Sequence, residues 1–376
     1  MKLAVIGRGL IGSAAARHLS KMGHDVALVG PSEPADFSKH GGVFGSHYDE
    51  GRITRTFDPG VKFWRDVNRA SISRYSEISA ESGVEFYREV GTLHVGPSDN
   101  SNVAWVGKIC AEDRIYCETF KDARLAKRFS FLKQTAGMQG YFEPRNAGYI
   151  SPRRLVRAQT IAAERAGARI VDDYALGISE SGSGVTIRTN SSSVEAERVL
   201  VAAGGHTESL LGRSLGFTVY ARTVAMFRLG EAEVQRLAGM PSMRCIGPKG
   251  ENPYILPPIG YPDGHTWLKL GGDPLDIVLE GDTDIKRWFK SGGSTDVADR
   301  LQEMILDRIC DLKFEERRVV PCMTTFGKTG LPSIGLLSER VAVAAGCYGK
   351  SAKSSDELGR LGATALLGDV RADLTP

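Results

Sequence analysis

Apolar residues fill positions 3–6, a polar glycine-rich turn follows, and apolar positions then recur at helical spacing over 13–21 before a second apolar run at 25–29. Strand, turn, helix and strand in that order predict a βαβ unit. From residue 30 to 55 the chain is rich in Gly, Ser and His and follows neither period. A connection of that length without secondary structure of its own is a functional candidate. Helical periodicity returns over 61–82, carried by Trp64, Val67, Ile72 and Tyr75, and alternation around 86–95 predicts strands. Ser151 followed by Pro152 predicts a helix start, with Ser as the cap and Pro in the first turn, running to Ala166. Strands at 169–171, 184–189 and 199–202 resume the first domain. Residues 218–313 mix strands near 219–229, 254–256 and 266–270 with helices near 285–290 and 297–308, as a second domain would. Short buried strands, a Gly-rich turn and a helix over 354–367 follow. The expected fold class is α/β with a second, sheet-rich domain.

A chain of 376 residues, 41% hydrophobic and 25% charged, can bury the cores of two joined domains. Its net charge of +3, with both signs interspersed, leaves no footprint for nucleic acid and no basic block for a membrane surface. No apolar stretch approaches the roughly 18 residues a spanning helix needs. The run at 3–6 is interrupted by Arg8 and flows into the glycine turn, so it is expected to be part of the fold and not a cleaved leader. The six cysteines (Cys110, Cys117, Cys245, Cys310, Cys322, Cys347) form no CxxC pair and no dense framework, which points to reduced thiols in a cytoplasm. The histidines lack metal-ligand spacing and there is no Gly-x-Ser-x-Gly elbow, which argues against metalloenzyme and hydrolase readings.

Gly7, Gly9 and Gly12 form a GxGxxG turn between a strand and a helix, where glycines permit close backbone approach and the helix N-terminus faces a pyrophosphate. The acid expected about 20 residues further on, to hold a ribose hydroxyl, would fall at Gly30 and is absent. Ser32 or Glu33, in the next turn, is expected to take that place. His206, after Ala202-Ala203-Gly204-Gly205, reads as structural.

Seven segments taken in order resemble the monomeric sarcosine oxidase family, FAD-dependent amine oxidases that include N-methyltryptophan oxidase. They are residues 7–12, 45–55, Gly91-Thr92-Leu93, 200–204, Trp267-Leu268-Lys269-Leu270-Gly271, Cys322-Met323-Thr324-Thr325 and Gly346-Cys347-Tyr348-Gly349. The resemblance runs from residue 1 to about 365. It implies a discontinuous Rossmann-like FAD domain (1–83, 148–217 and 319–376) and a sheet-rich α+β substrate domain (84–147 and 218–318). It implies a monomer using a small amino acid and oxygen, with FAD lined by Gly7, Gly9, Ile11, Gly12, Ser46, Gly204, Gly346, Gly349 and Lys353.

By the same resemblance, Cys322 forms a thioether to the flavin, Lys269 lies beside the flavin and promotes reaction with oxygen, and Arg52 supports the anionic reduced ring. Arg55 and Lys353 grip the substrate carboxylate, and Tyr254 walls the substituent on nitrogen. Three positions depart from the family pattern: Tyr48 and Asp273 stand where histidines are usual, and Thr324 where a tyrosine is. Those changes, with Arg244 and Lys350 as further cations nearby, leave room for an acidic group on the nitrogen, although Asp273 would oppose it if it faced inward. The expected activity is oxidation of an N-substituted glycine, sarcosine-like or iminodiacetate-like, to an imine that hydrolyses to aldehyde and amine, with hydrogen peroxide. The alternatives are a dehydrogenase using another electron acceptor and a silent flavin-binding subunit.

Overall fold

Strand Lys2–Ile6 runs parallel to Asp25–Val29, with helix Leu10–Lys21 crossing between them. The helix begins three residues earlier than its apolar spacing predicts, because the glycine turn itself winds into the first turn. Its cap is Gly9, with no side-chain cap bond, so its first N–H groups remain available. The computed structural model describes residues 1–58, 60–247 and 251–376.

These strands sit in a six-stranded sheet ordered Ser333–Leu336, Val341–Ala345, Arg198–Val201, Lys2–Ile6, Asp25–Val29, Arg169–Val171. It is parallel except at the Ser333–Leu336 edge. Alternate side chains leave opposite faces, so Leu3 and Val5 pack with Leu19, Trp64 and Leu358 of the helices on one side. Ala4 and Ile6 pack with Ile187 and Val194 of a three-stranded antiparallel sheet on the other. Burial on both faces explains why the run at 3–6 is continuous and does not alternate.

The second layer is a nine-stranded sheet. Its path runs Ile277–Val278, Thr218–Arg228, Thr266–Gly271, Tyr254–Gly260, Ser242–Cys245, Thr92–Pro97, Met138–Glu143, Glu118–Lys121. Strand Glu316–Phe326 pairs antiparallel along the whole length of Thr218–Arg228. Leu268 and Leu270 point into a core with Leu301 and Ile305 of helix Thr295–Leu306. Period two therefore sends Trp267 and Lys269 to the opposite face. A small sheet, Arg52–Thr54, Gly148–Ile150 and Tyr87–Arg88, lies between these two larger ones in the chain's path.

The domain limits need correction at two places. The expected boundary at 319 cuts through Glu316–Phe326, which belongs to the large sheet. Tyr87–Arg88, expected in the substrate domain, pairs instead with Gly148–Ile150. An apolar run looks the same in either sheet, and only its long-range partner decides. The periodicity over 61–82 divides into two helices, Lys62–Ile72 and Tyr75–Ser82. Helix Ser101–Glu112 and the strands Glu118–Lys121 and Met138–Glu143 had no clear sequence signal. Residues 30–51 carry no helix or strand, but the connection expected to reach residue 55 gives way to the short strand Arg52–Thr54, which pairs with Gly148–Ile150. Among the described residues no helix is long and apolar enough to cross a membrane.

Candidate active site

The glycine turn leaves no room for side chains at its ends. Gly7 has φ +109°, and a Cβ there would lie 2.3 Å from the Ala202 carbonyl oxygen. At Gly12 it would lie 1.9 Å from the carbonyl oxygen of Gly7. Gly9 is different: its nearest neighbour would be His47 Nδ1 at 3.7 Å, across a cleft of about 460 Å³. Ile11, Ser46, Gly204 and Met323 also line that cleft. An uncapped helix N-terminus at the floor of a glycine cradle fits a dinucleotide pyrophosphate.

Ser32 and Glu33, expected to reach the ribose, line a smaller cavity that adjoins this cleft through Arg8, Pro31 and His47. Ser32 accepts a hydrogen bond from Arg8 Nη2 at 2.6 Å and donates its N–H to Asp172 at 2.7 Å. Both Glu33 carboxylate oxygens are held by Arg153, at 2.6 and 2.8 Å. Arg8 and His47, which the sequence does not single out for the cofactor, also face the cleft. Burial, then Arg153, Arg8 and Arg52, pushes the His47 imidazole down to about 3, so it is a neutral group. Tyr48, expected at the substrate, lines the same cleft, edge-on to His47 at 4.6 Å. Burial raises its phenol to about 12. His206 ties the loop to a helix, with Nδ1 2.7 Å from Asp282 and Nε2 3.1 Å from the Phe44 carbonyl.

A first cationic centre gathers beside Cys322. The guanidinium of Arg52 donates to Cys322 Sγ at 3.4 Å and to the Ser46 carbonyl at 3.3 Å. Lys269 is fully buried and donates to the Gly51 carbonyl at 2.6 Å. Lys269 and Arg52 both form ion pairs with Asp49. Lys269 Nζ also lies 5.6 Å from the Tyr254 ring centroid. Burial foremost, and then Arg52, lowers the Lys269 pKa well below its ordinary value, while Cys322 acts in the opposite sense.

A second centre surrounds Asp58, which is 2% exposed. Lys350 Nζ lies 2.8 Å from its carboxylate, Arg55 Nη2 3.6 Å and Lys353 Nζ 3.9 Å. Burial opposes ionisation of Asp58, but Lys353, Arg55 and Lys350 together hold its pKa below the usual carboxylate range. Lys353 yields in turn. Burial takes it down to about 7; Asp58 opposes this, and Arg55, Lys350 and Arg244 add to it. Lys350 and Lys353 stand at the start of helix Ser351–Leu366, where the helix dipole adds to the positive potential.

Register links the two centres. Arg244 pairs with Tyr254 on one side and His94 on the other, and Tyr254 pairs with Gly271 of the Lys269 strand. Arg244 Nε is buried without a hydrogen-bond partner, and burial and Arg55 lower this guanidinium to about 10. His94 Nδ1 is also unpartnered, and burial, Arg55 and Arg244 keep the ring neutral by holding its pKa well below 6.5. Thr324 Oγ1 is a third buried unpartnered group; its methyl would lie 3.1 Å from a Cβ at Gly349. Asp273 is a correction. Its carboxylate accepts the backbone N–H groups of Thr223 at 2.8 Å and Leu275 at 2.9 Å, and so serves a turn and not the cation cluster.

Asp49 and Asp58 were missed in the sequence, yet a signal was there. Asp49, Arg52, Arg55 and Asp58 recur every three residues in one segment, acid, base, base, acid. Gly346 and Gly349, with φ +75° and +65°, shape the turn that brings Lys350 and Lys353 to this segment.

The chain is similar along its length to known amino acid oxidases. Over 384 residues the chain is 25% identical to the monomeric sarcosine oxidase of Bacillus sp. (strain B-0618), covering 99% of this chain and 93% of that one. A Tyr-to-Phe mutant of NikD, described as an unusual amino acid oxidase essential for nikkomycin biosynthesis, superposes in its open form with a TM-score of 0.82. It is 19% identical and covers 100% of this chain and 96% of its own. Iminodiacetate oxidase (IdaA) from Chelativorans sp. BNC1 gives a TM-score of 0.75 at 16% identity, covering 100% and 99%. These two likenesses concern the fold. A profile for FAD dependent oxidoreductase matches residues 2–365, and the chain belongs to that family.

Proposed function

We propose that this protein is an oxidase of secondary amino acids, acting on N-substituted glycines and preferring a second carboxylate on the nitrogen substituent. The observation that carries the reading is the surplus of buried positive charge around Asp58. Buried Arg55 and Lys353 and half-buried Lys350 face one carboxylate, and Arg244, within electrostatic reach of it, keeps an unused buried donor. An unpaired buried cation is costly, so such a site is suited to an anionic ligand. One substrate carboxylate would be held by Arg55 with Lys353, bidentately by the guanidinium and as a point charge by the ammonium. A second carboxylate would take up the free donor of Arg244. With its carboxylate engaged by two backbone N–H groups, Asp273 no longer opposes that arrangement.

FAD held on the glycine cradle would supply the two-electron acceptor that takes a hydride equivalent from the carbon next to nitrogen and passes the electrons to oxygen, giving hydrogen peroxide. Gly7, Gly9, Ile11, Gly12, Ser46 and Gly204 would hold it, and the half-buried Cys322 thiol would anchor it by a thioether. Lys269 and Arg52 would place positive charge where negative charge develops. Tyr254, between Arg244 and the Lys269 strand, would wall the nitrogen substituent. Water then splits the imine to aldehyde and amine. Six free cysteines suit a monomer in a reducing cytoplasm.

The test is aerobic turnover of sarcosine, N-ethylglycine and iminodiacetate, with flavin bleaching and peroxide release followed together. The dicarboxylate should give kcat/KM at least equal to sarcosine at low ionic strength. A strong preference for neutral N-alkyl groups would overturn the acidic-substituent reading. Bleaching without peroxide would mark a dehydrogenase, and no bleaching with any amine a silent subunit.

A further inference from the structure

We propose that Asp49 is the positioning residue of Lys269, a buried counter-ion that keeps its side chain charged and fixed against the loop that carries Arg52. The catalytic consequence rests on the oxidase reading above; the ion pair itself does not.

Lys269 is 0% exposed, so its ammonium has given up all of its water. A buried charge survives only when paired and hydrogen-bonded. Two contacts compensate it: the Gly51 carbonyl at 2.6 Å and the carboxylate of Asp49. Among the described residues, Asp49 is the one acidic group in contact with it. Glu50, the next residue, is turned away to Ser151 at 2.8 Å and Arg153 at 2.6 Å.

Asp49 is itself firmly held. It is 8% exposed, and its Oδ1 accepts the N–H groups of Glu50 at 2.8 Å and Gly51 at 3.2 Å and the Tyr261 hydroxyl at 2.8 Å. Its other oxygen faces both Lys269 and Arg52. Three neutral donors and two cations therefore surround this carboxylate. Of the remaining groups around Lys269, Cys322 favours its charged form and the others do not. Arg52 repels it, Tyr254 presents a ring and burial raises that phenol's pKa, and Cys322 approaches from strand Glu316–Phe326. Tyr261 is also held neutral, chiefly by burial.

Without the carboxylate, burial and Arg52 act on Lys269 with Cys322 as the opposing influence, and the proton is lost at lower pH. Any step that uses positive charge at Nζ then becomes pH-dependent, failing as pH rises.

The experiment uses FAD-loaded protein carrying lysine labelled with 13C and 15N at the ε position, with the Lys269 signal assigned by its loss in Lys269→Met. In Asp49→Asn, Lys269 should titrate at clearly lower pH than in the wild type, and Asp49→Glu should restore it. Stopped-flow reoxidation of the reduced flavin in Asp49→Asn should be slower by about tenfold or more at pH 8 and recover as the pH is lowered. An Asn variant that folds with an unchanged Lys269 titration overturns the proposal. Should that variant not fold, Tyr261→Phe, which removes one clamp on Asp49, must shift the same signal in the same direction, and no shift there overturns it equally. A shifted titration in a protein that releases no peroxide from any amine would reject the oxidase reading and leave the counter-ion role standing.

Discussion

Lys353 should make anion binding depend on pH, with a sign that follows from its surroundings. Burial and neighbouring cations take its pKa from 10.5 to about 7, with Asp58 alone opposing, so the unliganded protein holds the ammonium below that pH and the free amine above it. A bound carboxylate needs the ammonium. It would raise the Lys353 pKa by about 1–3 pH units, each worth about 1.4 kcal/mol. Binding above pH 7 therefore has to take up a proton. Affinity is full below pH 7 and falls about tenfold per pH unit above it, until the pKa of the complex is reached. The total loss is about 10- to 1,000-fold.

Oxydiacetate is the ligand to use, because it mimics a dicarboxylic secondary amine and has no amine of its own to titrate. Its Kd, read from the flavin absorbance change between pH 6 and 9, should follow that curve. Glu143 is a competing source of the same sign. Burial pushes this carboxyl up to about 7, against hydrogen bonds from Thr56, so it too ionises in this range near Arg55. Lys353→Met should bind weakly and lose most of the slope, while Glu143→Gln should keep it. A flat profile in the wild type, or a slope that survives in Lys353→Met and vanishes in Glu143→Gln, refutes the assignment to Lys353.

Three further outcomes are expected. Acid-precipitated wild-type protein should stay yellow, with a flavin-bearing peptide containing Cys322, whereas Cys322→Ser should release all of its flavin to the supernatant; colour that washes out of active wild-type enzyme removes the tether. Lys269→Met should slow flavin reoxidation by about a hundredfold or more, equivalent to about 3 kcal/mol, with substrate reduction less affected in stopped flow. Gly12→Ala places a methyl 1.9 Å from the Gly7 carbonyl oxygen and should lower stability by about 1–3 kcal/mol in urea unfolding and weaken flavin retention; an unchanged midpoint would mean that the turn can shift.

The parts of the fold legible in the sequence are those whose signal is local. The first βαβ unit shows in its period and its glycines, and helix Pro152–Arg165 in a Ser cap that accepts the Arg154 N–H. The partner of Glu316–Phe326 lies about a hundred residues earlier in Thr218–Arg228, and nothing inside either strand names the other. The cations of the site were legible because they sit within motifs that resemble a family. Their counter-ions were not. Asp49 and Asp58 are loop aspartates, a type usually solvated, and only the packing of three separate segments makes them buried partners of Lys269 and Lys353. Glu33 has the converse history: its spacing is near that of a ribose ligand, and nothing local announces its pairing with Arg153, from a helix some 120 residues on.

Cys322 belongs to the nine-stranded layer, opposite Arg222 in its register, whereas the glycine cradle belongs to the six-stranded one. With a thioether at Cys322 and its pyrophosphate at the start of helix Leu10–Lys21, the cofactor would be a strap sewn through both layers, fastened covalently at one end and by backbone N–H groups at the other. Pulling the layers apart would then require pulling the nucleotide out of its cradle, so that opening of the interface and loss of the nucleotide would be one event. Heating the tethered protein should accordingly give a single cooperative transition, and the serine variant, stripped of flavin, two.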